Sequence, residues 1–252
     1  MPHKKDDPPA ALTLLPSSPE EKSDKKRQEI DNSGHRRRLR ERFLDGPASA
    51  LPDYELLELL LFSAHPRKDV KPIAKDLLKR FGGALSGVLY AKREEAEDVP
   101  GMNLSALAIF RAVREAAARI LKEEIVAGAL LNGWKPLVDY CRLTMGFETT
   151  EHFRVLYLNT QYKLIKDDLQ ETGTVDHTPV YIREVVKRAV TLDAKCVVMV
   201  HNHPGGDVTP SKADISVTQR MHAALHTVGV ALVEHIIVSR STHFSFKSNG
   251  YL

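Results

Sequence analysis

Apolar residues between Leu51 and Lys122 recur at helical spacing: Tyr54, Leu57, Leu60 and Leu61; Val70, Ile73, Ala74, Leu77 and Leu78; then Leu104, Leu107, Ala108, Val113 and Ile120. Side chains three or four positions apart share one helix face, and Gly82-Gly83 and Pro100-Gly101 interrupt the runs. The spacing predicts a small all-α domain over residues 35–122. Past residue 134 the pattern changes. His152–Leu158 alternates as a strand does, and residues 163–175 predict two more. Arg183–Leu192 reads as a helix, Cys196–Val200 as a short buried strand, Ser211–Val228 as a helix and Gly229–Ser239 as a strand. Interleaved strands and helices make residues 135–252 an α/β domain. The mixed stretch 123–134 reads as a linker. Residues 1–34, with five prolines and no aromatic, read as a disordered tail that cannot offset its own ordering entropy.

Composition narrows the class. A chain of 252 residues, 42% hydrophobic and 27% charged, is that of a soluble globular protein. With Cys141 and Cys196 as the only cysteines, a disulfide scaffold and an all-cysteine zinc site are excluded. No apolar run nears the roughly 20 residues of a membrane helix, and the first residues lack the apolar core of a signal peptide. A reducing cytoplasm without membrane contact is the expected setting. The net charge of +3 does not mark the whole chain as a nucleic-acid binder, so such a role must be local. His35–Arg42 holds five arginines in eight residues; Arg36, Arg37 and Arg38 read either as phosphate contacts or as a solvated helix face. Ala96–Asn103 looks like the turn of a helix-hairpin-helix element, in which Gly101 and Asn103 would direct backbone N–H groups at a DNA phosphate. Asn103 fits a plain helix N-cap equally well.

Eleven histidines stand against the two cysteines, and eight of them follow residue 150. The strand at Cys196–Val200 runs into His201-Asn202-His203-Pro204-Gly205-Gly206, and Ser211-Lys212-Ala213-Asp214 follows. Residues i and i+2 of an extended segment share a face, so His201 and His203 can offer both imidazoles to one metal. Asp214, in the first turn of the next helix, can add an oxygen. Two nitrogens, one oxygen and an open position describe a catalytic zinc site. Each residue also has a plain structural role: Ser211 and Asp214 fit an acidic capping box. His222 and His226, at helical spacing, read as surface residues because no glutamate follows the first, and His235 reads as a hydrogen-bonded core residue. The joint spacing His-x-His-Pro-x6-Ser-x-x-Asp arises by chance in on the order of one chain in 10⁵ at average residue usage.

That spacing resembles the JAMM (MPN+) zinc metallohydrolases. The loop wording, with Glu234-His235-Ile236-Ile237-Val238 downstream, is similar to the bacterial RadC family within them. Arg40–Leu44, Leu51–Leu57 and Phe81-Gly82-Gly83 look like that family's helical domain, so the resemblance covers residues 35 to 252. It departs at Gly205, usually serine, at Glu234, usually aspartate, and at Met102-Asn103, which break the usual hairpin turn. The resemblance implies a mixed-sheet, cytidine-deaminase-like MPN/JAMM domain after an all-α domain. It further implies one Zn²⁺ per chain on His201, His203 and Asp214, and a general base at Glu151, although spacing does not select Glu151 over Glu148, Glu171 or Glu184. Ser211 would donate to a developing oxyanion. The implied activity is amide or isopeptide hydrolysis of an unidentified peptide or protein, in a family traditionally linked to DNA repair. An alternative reading is a DNA-associated accessory protein, or a metal-dependent nuclease, whose helical domain contacts DNA.

Overall fold

The computed structural model describes residues 33–128, 133–170 and 181–252, so the expected tail, apart from Ser33 and Gly34, lies outside the described residues. The chain divides into two compact units, one ending at Phe110 and one beginning at Arg111.

The first unit is helical: α1 (33–45), α2 (Asp53–Ala64), α3 (Lys71–Arg80), the short α4 (Leu85–Leu89) and α5 (Arg93–Glu97), and the start of α6 (Leu104–Ala127). Its core contains Leu57, Leu61, Ile73, Ala74 and Leu77 from the predicted helical faces, joined by Leu39, Phe62, Val88 and Phe110. Pro52 leads into α2, and Asp53 and Glu55 in its first turn complement the helix dipole. At the other end of α2, carbonyls without intrahelical partners need donors. Arg36 supplies them. It is buried and donates to the Phe62, His65, Pro66 and Lys68 carbonyls at 2.5–3.3 Å. The expected phosphate contact at Arg36 is thereby corrected, because its guanidinium is committed to backbone oxygens.

α6 also corrects the expected linker. Leu121–Ala127 contains no Gly or Pro and several good helix formers, so the helix continues through the boundary expected at residue 123 and stops before Gly128, whose φ is +99°. Residues 129–132 lie outside the described residues.

The second unit is built on a five-stranded mixed sheet of order β2-β1-β3-β4-β5: β1 (Phe153–Leu158), β2 (Leu164–Leu169), β3 (Cys196–Asn202), β4 (Ala231–Val238) and β5 (His243–Ser245). Among the described residues only β3 and β4 run parallel, and α9 (Lys212–Thr227) lies between them in sequence. An all-α unit followed by an α/β unit with a mixed sheet is the fold class expected. One strand occurs where two were expected at 163–175; positions 171–180 lie outside the described residues.

All seven residues of β3 are buried, because the sheet is covered on both faces. Val197 and Met199 pack with Val185 and Ala189 of α8 (Ile182–Thr191) and with Met221 and Leu225 of α9. Val198 and Val200 pack on the other face with Leu137, Cys141 and Met145 of α7 (Lys135–Met145) and with Ile125. The parity of β3 thus assigns His201 to the α9 face, where its ring stacks on Phe153 at 5.9 Å.

Two buried carboxylates tie elements together. Glu234 accepts from the Ser245 hydroxyl at 2.6 Å and from the Lys247 and His235 backbone N–H groups at 3.1 and 2.9 Å. Asp167 on β2 accepts from Arg154 at 2.7 Å, Tyr140 at 2.6 Å and Lys122 at 3.2 Å, so β1, β2, α6 and α7 meet on one oxygen pair. Among the described residues no helix is long and apolar enough to cross a membrane.

Candidate metal centre

Four side chains converge where β3 ends. His201 is the sixth residue of β3 and 4% exposed; His203 follows just beyond the strand; Asp214 sits in the first turn of α9; Glu151 precedes β1, which pairs with β3 through Phe153 and His201. The Nε2 atoms of His201 and His203 are 3.1 Å apart. Asp214 Oδ1 lies 3.2 Å from His201 Nε2, and Oδ2 lies 3.7 Å from His203 Nε2. Glu151 Oε1 is 3.7 Å from His203 Nε2, and one carboxylate oxygen of Glu151 and the two imidazoles fall within 4.8 Å of one another.

Hydrogen-bond direction fixes which nitrogens carry protons. The Thr218 hydroxyl donates to the Asp214 carbonyl at 2.5 Å, since a carbonyl only accepts. Its oxygen, 2.6 Å from His235 Nδ1, must therefore accept from that nitrogen. His235 is fully buried, and burial drives its pKa well below the usual histidine value, so the ring is neutral and its Nε2 is bare. That atom accepts from His201 Nδ1 at 2.9 Å. His203 Nδ1 donates to the Asp207 carbonyl at 2.6 Å. With Nδ1 engaged in each ring, the Nε2 atoms of His201 and His203 face each other and the Asp214 carboxylate. Such a donor set calls for a positive charge, and its two imidazoles and carboxylate fit a zinc ion.

The electrostatics point the same way. The Asp214 hydrogen bond raises the His203 pKa against the opposing effect of burial. Burial opposes the Asp214 carboxylate, but hydrogen bonding to His201, His203 and Ser211 outweighs it and holds the group far below the usual carboxylate range.

Local structure holds these groups in position. Gly206 adopts φ +91° in the turn after Pro204, which L side chains rarely adopt. At α9, Ser211 Oγ accepts from the Asp214 N–H at 3.1 Å, while Asp214 Oδ2 accepts from the Ser211 N–H and hydroxyl at 2.8 and 2.7 Å. The expected capping box and the expected metal ligand are therefore one device.

Residues 131–251 match the family described as RadC-like JAB domain, and residues 30–108 match the one described as UPF0758 N-terminal. A UPF0758 protein of Ruegeria pomeroyi is 46% identical over 218 residues, 86% of this chain and 97% of that protein. This chain belongs to the UPF0758 family of RadC-like proteins. A UPF0758 protein of Rhodobacter capsulatus is likewise 46% identical over 214 residues, 85% of this chain and all of that one.

Within this RadC-like domain the expected residues are distributed as follows. His201, His203, Asp214 and Glu151 come together. Glu148 and Glu184 are not in the convergent group among the described residues, and Glu171 lies outside them. The Ser211 hydroxyl donates to Asp214 Oδ2 at 2.7 Å and so orients that carboxylate. His222 and His226 are exposed on α9, and His235 is a core residue, as expected. In the UPF0758 N-terminal unit, Asn103 is a helix cap whose Oδ1 accepts from the Ala106 N–H at 2.9 Å. It is not left-handed, and a Cβ on Gly101 would come 2.7 Å from Ile73. Arg37 and Arg38 are exposed on α1.

Asn202 and Thr218, and the contact of His235 with His201, add to the site what the sequence did not reveal. Asn202, 1% exposed, accepts from the His152 N–H at 2.7 Å and donates to the Thr150 carbonyl at 3.0 Å, clamping the backbone on both sides of Glu151. Its place between the two histidines was the available signal. Thr218 and His235 form the relay to His201, and their distance in sequence hid it. Thr218→Val, which keeps the shape and removes the hydroxyl, is expected to weaken zinc binding about 10–100-fold, while Thr218→Ser retains it. Competition with a chelator measures this; wild-type affinity in the valine variant would mean that the Thr218 hydroxyl does not support His201.

Proposed function

We propose that the protein is a zinc-dependent hydrolase of the JAMM type that cuts amide or isopeptide bonds. The observation that carries this reading is the pair of Nε2 atoms on His201 and His203, 3.1 Å apart and facing the Asp214 carboxylate, with Glu151 alongside. His201, His203 and Asp214 would hold the ion. Bound zinc supplies a Lewis acid that brings the pKa of water near 7. Glu151 takes a proton from the attacking water and returns it to the leaving amine, and Asn202 keeps its backbone in place. His235 and Thr218 hold the His201 ring, and Ser211 holds Asp214. Buried thiols have no part: burial pushes Cys141 up to about 12, too high for a nucleophile. Two free, buried cysteines suit a reducing compartment, and we place the protein in the cytoplasm. The test is hydrolysis of a mixed peptide, isopeptide and nucleic-acid panel by wild type and Glu151→Gln; cleavage of nucleic acid alone would overturn the bond assigned.

A further inference from the structure

α9 carries a second pair of histidines that the candidate metal centre does not use. His222 and His226 are exposed in its C-terminal half. At i and i+4 they are neighbours on one helix face, and their ring centroids lie 6.5 Å apart. This is the spacing of His-Glu-x-x-His helices, in which both imidazoles hold one ion and the glutamate serves as general base. Here Ala223 stands at the glutamate position. A base is therefore missing, not a ligand. The absent glutamate argues against hydrolysis at this pair and leaves metal binding open.

The surroundings of the pair favour a cation. His201 and His203 are tied by hydrogen bonds, whereas neither His222 nor His226 has a hydrogen-bond or ion-pair partner among the described residues. Neither ring gives up a partner when it takes a metal. His226 lies in the last turn of α9, where the partial negative charge of the helix end attracts a cation. Arg220, the nearest basic residue in sequence, is about 200° around the helix from His222 at about 100° per residue, so its charge lies on another face. Ala223 presents only a methyl group beside the pair and leaves room for water ligands. Asp214 is about 12 Å along the axis from His222 at 1.5 Å per residue, too far to share an ion with it.

We propose that His222 and His226 form a second, surface site for a divalent transition-metal ion, with copper(II) held more tightly than nickel or zinc. Imidazole suits all three ions, and affinity for a given nitrogen site peaks at copper. Among the described residues no carboxylate or thiol joins the pair. Two imidazoles completed by water suit the tetragonal geometry of copper(II), while the imidazole and carboxylate set of His201, His203 and Asp214 fits zinc. With only two protein ligands and full access to solvent, the α9 pair releases zinc on desalting and adds nothing to the zinc count of the buried centre.

The test is a copper(II) titration of the full chain read by electron paramagnetic resonance, in wild type, His226→Gln and His222→Gln/His226→Gln. Wild type is expected to take up about one copper(II) per chain more than the double variant, with the splitting of two nitrogen ligands in the difference spectrum. Joining two binding groups raises affinity over either alone by about 10²–10⁴, so His226→Gln should bind at least about 10²-fold more weakly. The same difference is expected in a His203→Ala background, which separates this site from the candidate metal centre. Unchanged melting temperatures keep the comparison among folded chains. Equal uptake by wild type and the double variant overturns the proposal, as does equal affinity in His226→Gln. A difference that vanishes in the His203→Ala background overturns it too, because the copper would then occupy the other centre. None of these results bears on zinc at His201 and His203, which elemental analysis reads separately.

Discussion

Glu151→Gln is expected to lower the rate of hydrolysis by about 10²–10⁴, the usual contribution of a positioned general base, while bound zinc stays at the wild-type level. The substitution keeps the size and hydrogen-bonding capacity of the side chain and removes only its ability to take a proton. Glu151 suits the role because its carboxylate stands 3.7 Å from His203 Nε2, whereas Asp214 lies 3.2 Å from His201 and is held by both the N–H and the hydroxyl of Ser211. Metal content and turnover measured on one preparation separate the roles. Loss of both together would make Glu151 a ligand, and full activity with zinc retained would move the base elsewhere.

The second large effect concerns stability. Asp167→Asn is expected to destabilise the fold by about 3–5 kcal/mol, the range for removing one partner of a buried ion pair. The side chains of Asp167 and Arg154 are 2% and 14% exposed, so the arginine would keep its charge with no counter-charge beside it. The sign with pH follows from the carboxylate. Burial raises the pKa of Asp167, but the Arg154 charge and the Tyr140 and Arg154 hydrogen bonds outweigh it and leave it below the ordinary value. A depressed carboxylate stabilises the fold fully above its unfolded-state pKa of about 3.9 and loses that contribution as pH falls through its folded value. Urea denaturation at neutral and acid pH should therefore show a wide gap between wild type and Asp167→Asn at pH 7 that narrows in acid. A gap that does not change with pH would mean that charge is not what the substitution removes.

Much of this architecture was legible because it follows from periodicity. The apolar spacing of Leu57, Leu61, Ile73, Ala74 and Leu77 located the helical core, and the continuous run Cys196–Val200 located a strand covered on both faces. The His201-x-His203 spacing located two imidazoles that meet beside Asp214, because residues two apart in an extended segment share a side. What stayed hidden depended on contacts distant in sequence or on short elements. α7 carries Pro136 in its first turn and buries Leu137, Val138, Cys141 and Met145, but it was too short to stand out. β5, three residues long, is held by the buried Glu234 carboxylate rather than by a pattern of its own. Arg36 looked like a surface charge because nothing in Arg36-Arg37-Arg38 reveals four waiting carbonyls. Likewise, a single threonine at position 218 gives no sign that it fixes the tautomers of two histidines.

We propose a catalytic metal on His201, His203 and Asp214 of this UPF0758 protein. Elemental analysis of purified wild type and His203→Ala tests it most directly. About one zinc per wild-type chain is expected and almost none in the variant, with both proteins folded. Equal zinc in the two, or none in wild type after exposure to zinc and desalting, would contradict it.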